Sequence, residues 1–495
     1  MMKICLVLLA ALSVTANAAL TMRAVDFASN LDSRFMTPDA RADAQTYAAS
    51  SGYFALNATN DAHLFYTLFE RRGGGVDASA SPLIVWLTGG PGCSAELASL
   101  YENGPFALER RGEDVVLTRR AHAWNDAGHL LFVDSPVGTG FSYSSSRRDA
   151  ARDEVTVAED LLQFLYAFFL RRPDLADVPV FVTGESYAGH YVPAFAHRIF
   201  LANKKEEGPV RINLRGMAVG NGLTDPEIQY GAYADYSLGN DIVSASAAAK
   251  AMTAYPACRK AIEACTAGES GKANRATCVK ALDQCQTIPE TLLEDAASRL
   301  GGKQINVYDI RKTCDAELCY DFSDAENWLN RPDVQKALGV NKKWEMCDSR
   351  VHADLMGDWM HAYVDGYIPP LLEAGIRVMI YAGDQDFICN ALGNERWVKA
   401  MRWTGREDFN AARTEPFVVS SDDGDDIVGG SVREAGHLSF VKINQAGHMV
   451  PMDQPRNSLM MIQRFVDGEP IARGALKNRS APRRAAVDSL RVAMY

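Results

Sequence analysis

Residues 184–189 read Gly184-Glu185-Ser186-Tyr187-Ala188-Gly189 and follow the apolar run Val180-Phe181-Val182-Thr183. A serine between glycines at the end of a strand fits a plain tight turn. It also fits a nucleophile elbow, in which a strained strand-to-helix turn holds a hydroxyl out for chemistry. A serine hydroxyl is a poor nucleophile. It needs an imidazole as general base, and a carboxylate to orient that imidazole. Both follow downstream. The run Val378-Met379-Ile380-Tyr381 ends in Ala382-Gly383-Asp384-Gln385-Asp386-Phe387-Ile388-Cys389-Asn390. Acids just past a strand's carboxyl end sit where open α/β sheets gather functional groups. Phe440–Ile443 then leads into Asn444-Gln445-Ala446-Gly447-His448-Met449-Val450-Pro451. Each residue taken singly is more often structural. Three in the order Ser186, Asp386, His448, each behind a strand, favour a catalytic triad, with Asp384 a competitor for the acid.

Acyl transfer also needs donors for a developing oxyanion. One would be the N–H after the nucleophile, on Tyr187, and the other should come from a loop after an earlier strand. Leu83-Ile84-Val85-Trp86-Leu87 runs into Thr88-Gly89-Gly90-Pro91-Gly92-Cys93. Glycines there let backbone amides approach a ligand closely.

The elements that must position these residues are legible as alternating patterns. Apolar runs at His63–Phe69, Leu83–Leu87, Leu130–Val133, Val180–Val182, Met217–Val219, Val378–Tyr381 and Leu438–Ile443 suit strands buried on both faces. Thr156–Leu170 carries Leu161, Leu162, Leu165, Phe168 and Phe169 at helical spacing, with Pro173 beyond its end. Strands alternating with helices predict an α/β fold. The alternation breaks from about 225 to 345, where Ala-rich and Cys-rich helical stretches such as Ser244–Met252 and Glu290–Leu300 predict an inserted cap. Residues 19–50 read as a short pro-segment or surface arm, 51–468 as the main domain, and the basic stretch 469–495 as a peripheral tail.

Composition narrows the class. The 495 residues are 47% hydrophobic and 23% charged, with a formal net charge of −11. That is an ordinary globular chain without the basic surface a nucleic-acid partner requires. Lys3, the apolar run Ile4–Leu12 and Ala16-Asn17-Ala18 form the pattern of a signal peptide over residues 1–18. No other stretch is apolar for long enough to span a membrane. The mature protein is therefore expected in the secretory pathway. Removing Cys5 leaves nine cysteines, five of them between 258 and 314, which suggests disulfides pinning an irregular insertion. No CxxC pair argues for zinc, so no metal is expected. No phosphate loop or nucleotide fingerprint appears, so no cofactor is expected either. Asn57 and Asn478 begin N-glycosylation sequons.

Taken together, Trp86-Leu-Thr-Gly-Gly-Pro-Gly-Cys-Ser94, Gly184–Gly189, Gly383–Asn390 and Ala446-Gly-His-Met-Val-Pro-Met-Asp453 resemble the signature blocks of serine carboxypeptidases. Asp134-Ser-Pro-Val-Gly-Thr-Gly-Phe-Ser-Tyr143 and Gly220-Asn-Gly-Leu-Thr-Asp225 agree, and the resemblance spans roughly residues 50 to 468. It implies an α/β-hydrolase fold with a mixed, mostly parallel sheet and a helical, disulfide-rich cap. It also implies removal of C-terminal residues from peptides through an acyl-enzyme on Ser186, at acidic pH, with peptide or protein C-termini as partners and a homodimer as one assembly.

By the same resemblance, the amides of Gly90 and Tyr187 form the oxyanion hole. Trp86, Thr88, Gly89, Glu102 and Glu185 bind the substrate's terminal carboxylate, with Thr88 standing where the family commonly has asparagine. Tyr101 and Met449 belong to the substrate pocket. The resemblance implies disulfides Cys93–Cys347, Cys258–Cys285, Cys265–Cys278 and Cys314–Cys319, leaving Cys389 as a free thiol, and a vacuolar, lysosomal or extracellular location. Two acids packed against a carboxylate should share protons, with at least one pKa raised. Two rival readings keep the same motifs: an acyltransferase fed by sugar esters, and a non-catalytic stabilising partner.

Overall fold

The computed structural model describes residues 25–26, 30–57, 60–73, 80–266, 275–314, 316, 318–421 and 424–472. The expected signal peptide, most of the tail and Asn478 lie outside these residues, as do the two positions after Asn57 that complete its sequon.

The apolar runs become the centre of one large sheet. Its strands are β1 (Val25–Asp26), β2 (Ala49–Asn57), β3 (Ala62–Phe69), β4 (Leu83–Leu87), β7 (His129–Val133), β8 (Val180–Glu185), β9 (Leu214–Gly220), β10 (Arg377–Gly383), β11 (Glu415–Ser420), β12 (Asp426–Ala435) and β13 (Leu438–Ile443). A separate hairpin pairs β5 (Phe106–Arg111) with β6 (Asp114–Arg119). The spatial order is β1-β2-β3-β7-β4-β8-β9-β10-β13-β12-β11. The strands from β7 to β13 run parallel through the middle. Antiparallel strands extend both edges.

Side chains alternate across this sheet, as the two-residue repeat of a strand requires. Along β4, Leu83, Val85 and Leu87 enter one apolar core, while Ile84 and Trp86 enter the other. The first core is filled by the helices Glu154–Arg171 and Ala188–Lys205, which contribute Leu161, Leu165, Phe168, Tyr191 and Phe195. The second takes the helix Pro455–Asp467 through Met461, Ile462 and Phe465. Both faces are thus covered, and Ser186, Asp386 and His448 lie in the loops at the strands' carboxyl ends.

Residues 221–376 separate β9 from β10 and carry the helical insertion, from Pro226–Tyr230 to Ile368–Glu373. Its longest helix is Arg275–Arg299. The Glu290–Leu300 pattern is only the end of this helix, because Pro289 is accommodated inside it. Sulfurs of all four implied cysteine pairs are bonded, and Cys389 is free and buried.

Residues 30–50 do not form a surface arm. Leu31, Met36, Ala40 and Tyr47 are buried in the second core. Asp43 is paired with Arg72 and Arg119, both at 2.9 Å. Detaching this segment would expose apolar surface and take from the buried Arg72 one of its two carboxylate partners.

Candidate active site

Ser186 follows β8 directly and precedes the helix Ala188–Lys205. Its φ is 66°, a left-handed conformation that costs a non-glycine residue energy and is kept where the surroundings enforce it. They do so here. The Ser186 N–H donates to the Gly220 carbonyl at 3.1 Å, and its own carbonyl accepts from Gly189 and Leu223 at 2.9 and 3.0 Å. A side chain on Gly89 would collide with the Tyr187 amide and the Ser186 Cβ, so the glycine loop after β4 lies directly against the elbow. Gly90, with φ 112°, is the next residue of that loop. Among the described residues neither the Gly90 nor the Tyr187 N–H donates to another backbone group. Both residues line a pocket of about 350 Å³ together with Ser186 and His448. The adjacent disulfide Cys93–Cys347 ties the loop to the insertion.

His448 and Asp386 stand on the loops after β13 and β10. His448 Nδ1 lies 2.8 Å from Asp386 Oδ2. This contact belongs to Asp386, not Asp384. Asp386 is fully buried and accepts hydrogen bonds from the N–H groups of Ile388 and Cys389 at 3.1 and 3.3 Å. A further donor is Asn221 Nδ2 at 2.7 Å, whose Oδ1 accepts the Gly383 N–H at 3.1 Å. The Gly220-Asn221-Gly222 sequence alone assigns Asn221 no role. Its position at the carboxyl end of β9, beside the strand bearing the acid, was the available signal. Cys389 lines the pocket, and burial pushes its thiol well above the usual range.

Glu102 ends the helix Ala95–Tyr101, and Glu185 ends β8. They are 2% and 4% exposed, line the pocket and hydrogen-bond to each other. Burial is the main cause that pushes both carboxyls up, and Glu185 rises further through the charge of Glu102. Neither has a cation within ion-pair distance among the described residues, and one oxygen of each lacks a partner. Thr88 and Gly89 stand on the same pocket wall.

Two expected positions differ in kind. Trp86 is fully buried, packed edge-on to Trp124 at 5.2 Å. Its indole Nε1 donates to Thr88 Oγ1 at 3.0 Å. Its N–H is therefore engaged by Thr88, and Trp86 does not line the pocket. Tyr101 also stands one layer back, packed on Phe322 at 4.8 Å, because its ring is drawn into the apolar cluster behind the wall. Phe322 and Met449 face the pocket instead. The remaining wall is largely aromatic, with Tyr230, Tyr233, Tyr308 and Trp359 from the insertion.

A parallel-centred sheet sandwiched by helices, a strained serine after a central strand and a histidine–aspartate pair on later strand ends define an α/β hydrolase. Residues 38–468 match the sequence profile of the serine carboxypeptidases, and the chain belongs to that family of hydrolases. It is 45% identical over 420 residues to serine carboxypeptidase 3 of Oryza sativa subsp. japonica, spanning 85% of this chain and 79% of that protein. It is 43% identical over 427 residues to serine carboxypeptidase-like 48 of Arabidopsis thaliana, spanning 86% and 79%. The fold is similar to that of the crystal structure of Kex1(delta)p, a prohormone-processing carboxypeptidase from Saccharomyces cerevisiae. That match has a TM-score of 0.75 and 25% identity, and covers 90% of this chain and 95% of the other.

Proposed function

We propose that this chain removes C-terminal amino acids from peptides and proteins, through an acyl-enzyme on Ser186 and best at acidic pH. In this reading Ser186 Oγ attacks the carbonyl of the last peptide bond while His448 takes its proton. The amides of Gly90 and Tyr187 receive the oxyanion. His448 returns the proton to the departing amine, and the free amino acid leaves. Water, deprotonated by His448, then attacks the ester and restores the serine. Asp386 holds the imidazole and stabilises its charged form.

The observation that carries this reading is the Glu102–Glu185 pair. Two buried acids with no cation within ion-pair distance among the described residues, on the wall beside Ser186, make a poor site for a neutral ester. They make a good one for a terminal carboxylate when they hold a proton between them and donate it as a hydrogen bond. Thr88 contributes its hydroxyl, turned by the bond from Trp86.

One feature favours the acyltransferase alternative: Thr88 offers a single hydroxyl where an amide would offer a fork, so the carboxylate site is weaker. Incubation with a blocked dipeptide and with a sugar-ester donor plus alcohol separates the two. Release of the terminal amino acid supports the peptidase, and ester transfer alone supports the transferase. Four disulfides support a passage through an oxidising compartment. No helix among the described residues is long and apolar enough to cross a membrane.

A further inference from the structure

Inside the insertion the chain doubles back over residues 305–313, where Ile305 and Thr313 form an isolated bridge. This turn supplies no triad residue, yet it is hydrogen-bonded to both loops that do. The Val307 carbonyl accepts the N–H groups of Phe387 and Ile388 at 3.1 and 3.0 Å, and the Ile310 N–H donates to the Gln385 carbonyl at 2.9 Å. These three residues flank Asp386. The Tyr308 carbonyl accepts the N–H of His448 itself at 2.7 Å. The loops after β10 and β13 are therefore cross-linked through one short piece of backbone.

That backbone is shaped by Asn306, which is fully buried. Its Oδ1 accepts from the N–H groups of Tyr308 and Asp309 at 2.8 and 3.2 Å. Its Nδ2 donates to the Cys319 carbonyl at 3.2 Å, tying the turn to the Cys314–Cys319 disulfide. A second anchor runs through Asp309, whose buried carboxylate holds Arg311 at 2.7 Å and Lys312 at 2.9 Å. Arg311 donates to the Gln445 carbonyl at 3.1 Å. It also lies 3.5 Å from Asp453, which accepts the Gly447 N–H at 2.7 Å.

We propose that Asn306 is a positioning residue for catalysis: through the Val307 and Tyr308 carbonyls it sets the register of the Asp386 loop against the His448 loop. The inference rests on the triad reading above. Its physical basis is that a misplacement of about 1 Å can cost roughly 10²-fold in rate, and loops on separate strands drift independently unless something joins them. Asn306 does not line the pocket and reaches it only through the Tyr308 backbone, so its loss should slow chemistry far more than it weakens binding.

The test uses the full chain with two readouts: hydrolysis of a blocked dipeptide, and the rate at which a fluorophosphonate labels Ser186, which reports the triad independently of substrate. Asn306→Ala is expected to lose about 10- to 100-fold in kcat and in labelling rate, with KM within about twofold. Asn306→Asp keeps the oxygen that both amides use, and should recover most of the loss. If Asn306→Ala does not fold, the Cys314→Ala, Cys319→Ala double variant loosens the same turn from outside and should show the same split at smaller size. A folded variant with unchanged kcat and labelling overturns the proposal, as does a loss confined to KM. If wild-type Ser186 labels but no peptide is cleaved, the peptidase reading fails and the labelling comparison still decides the role of Asn306.

Discussion

Glu102 and Glu185 are hydrogen-bonded to each other inside the pocket, each almost wholly buried and neither paired with a cation among the described residues. On the carboxypeptidase reading the pair gives the acid before Ser186 a task. With a proton between them, the pair can receive a carboxylate. Without it, three negative groups would meet at one point.

A pH dependence follows. Burial pushes the Glu102 carboxyl up to about 7, and Glu185 rises above its ordinary value as well. Below that value Glu102 holds its own proton; above it Glu102 is charged beside the carboxylate site, while Glu185, raised further by that charge, keeps the pair's last proton. The KM for a free-acid peptide should therefore rise as pH passes about 7, by roughly 10-fold or more, the worth of one hydrogen bond to a charged group. Glu102→Gln cannot deprotonate and should flatten that rise. Michaelis constants from pH 5 to 8.5 check this, and an unchanged rise in the variant would remove Glu102 from the account.

Thr88 should act on binding rather than on chemistry. Thr88→Val removes both the acceptor of the Trp86 indole N–H and the hydroxyl facing the pocket. KM should rise about 5- to 30-fold while kcat changes little, since the carboxylate loses one hydroxyl donor. Steady-state kinetics on one dipeptide suffice, and a loss in kcat alone would place Thr88 elsewhere in the mechanism.

Asn221 should do the reverse. Its amide donates to Asp386, and its φ of 42° makes glycine the replacement that adds no strain. Asn221→Gly is expected to lower kcat about 10-fold, with KM nearly constant, because Asp386 loses a donor that fixes its orientation. Circular dichroism and thermal unfolding of the variant separate this from a folding defect.

Stability should fall from pH 6.5 to 8. Glu96 is buried in the first turn of the helix Ala95–Tyr101, its Oε1 accepting from Thr67 Oγ1 at 2.7 Å, and burial pushes it up to about 8. Glu102, Glu154 and Glu185 are raised for the same reason. The unfolded chain has released these protons by pH 6.5, while the folded chain retains them. Raising the pH then favours unfolding, by at most about 1.4 kcal/mol per pH unit for each group. Below pH 6.5 the buried neutral His190, pushed down to about 3 by burial, works in the opposite direction, so the higher window gives the clean sign. Urea midpoints across it should decline, and Glu96→Gln should reduce the slope without altering activity.

The central sheet was readable because its strands are buried on both faces and appear as unbroken apolar runs. Leu83–Leu87 and Leu438–Ile443 coincide with β4 and β13. The edge strands were not readable. β11 and β12 are half exposed and include Gly429 and Gly430, so neither an apolar run nor a regular alternation marks them. Residues 30–50 misled for a related reason: their polar, alanine-rich stretch hides an internal partner, Asp43, whose arginines lie far along the chain. In the site, Ser186, Asp386 and His448 were legible because each follows a strand. Asn306 was not, since its effect runs through backbone carbonyls that carry no side-chain signal.

The most direct test of the carboxypeptidase account compares a blocked dipeptide with its C-terminally amidated twin, from pH 4 to 8, using wild-type protein and Ser186→Ala. The account predicts cleavage of the free acid, strongest at acidic pH, little or none of the amide, and none by the variant. Equal cleavage of acid and amide by wild type, or cleavage that survives in Ser186→Ala, would contradict it.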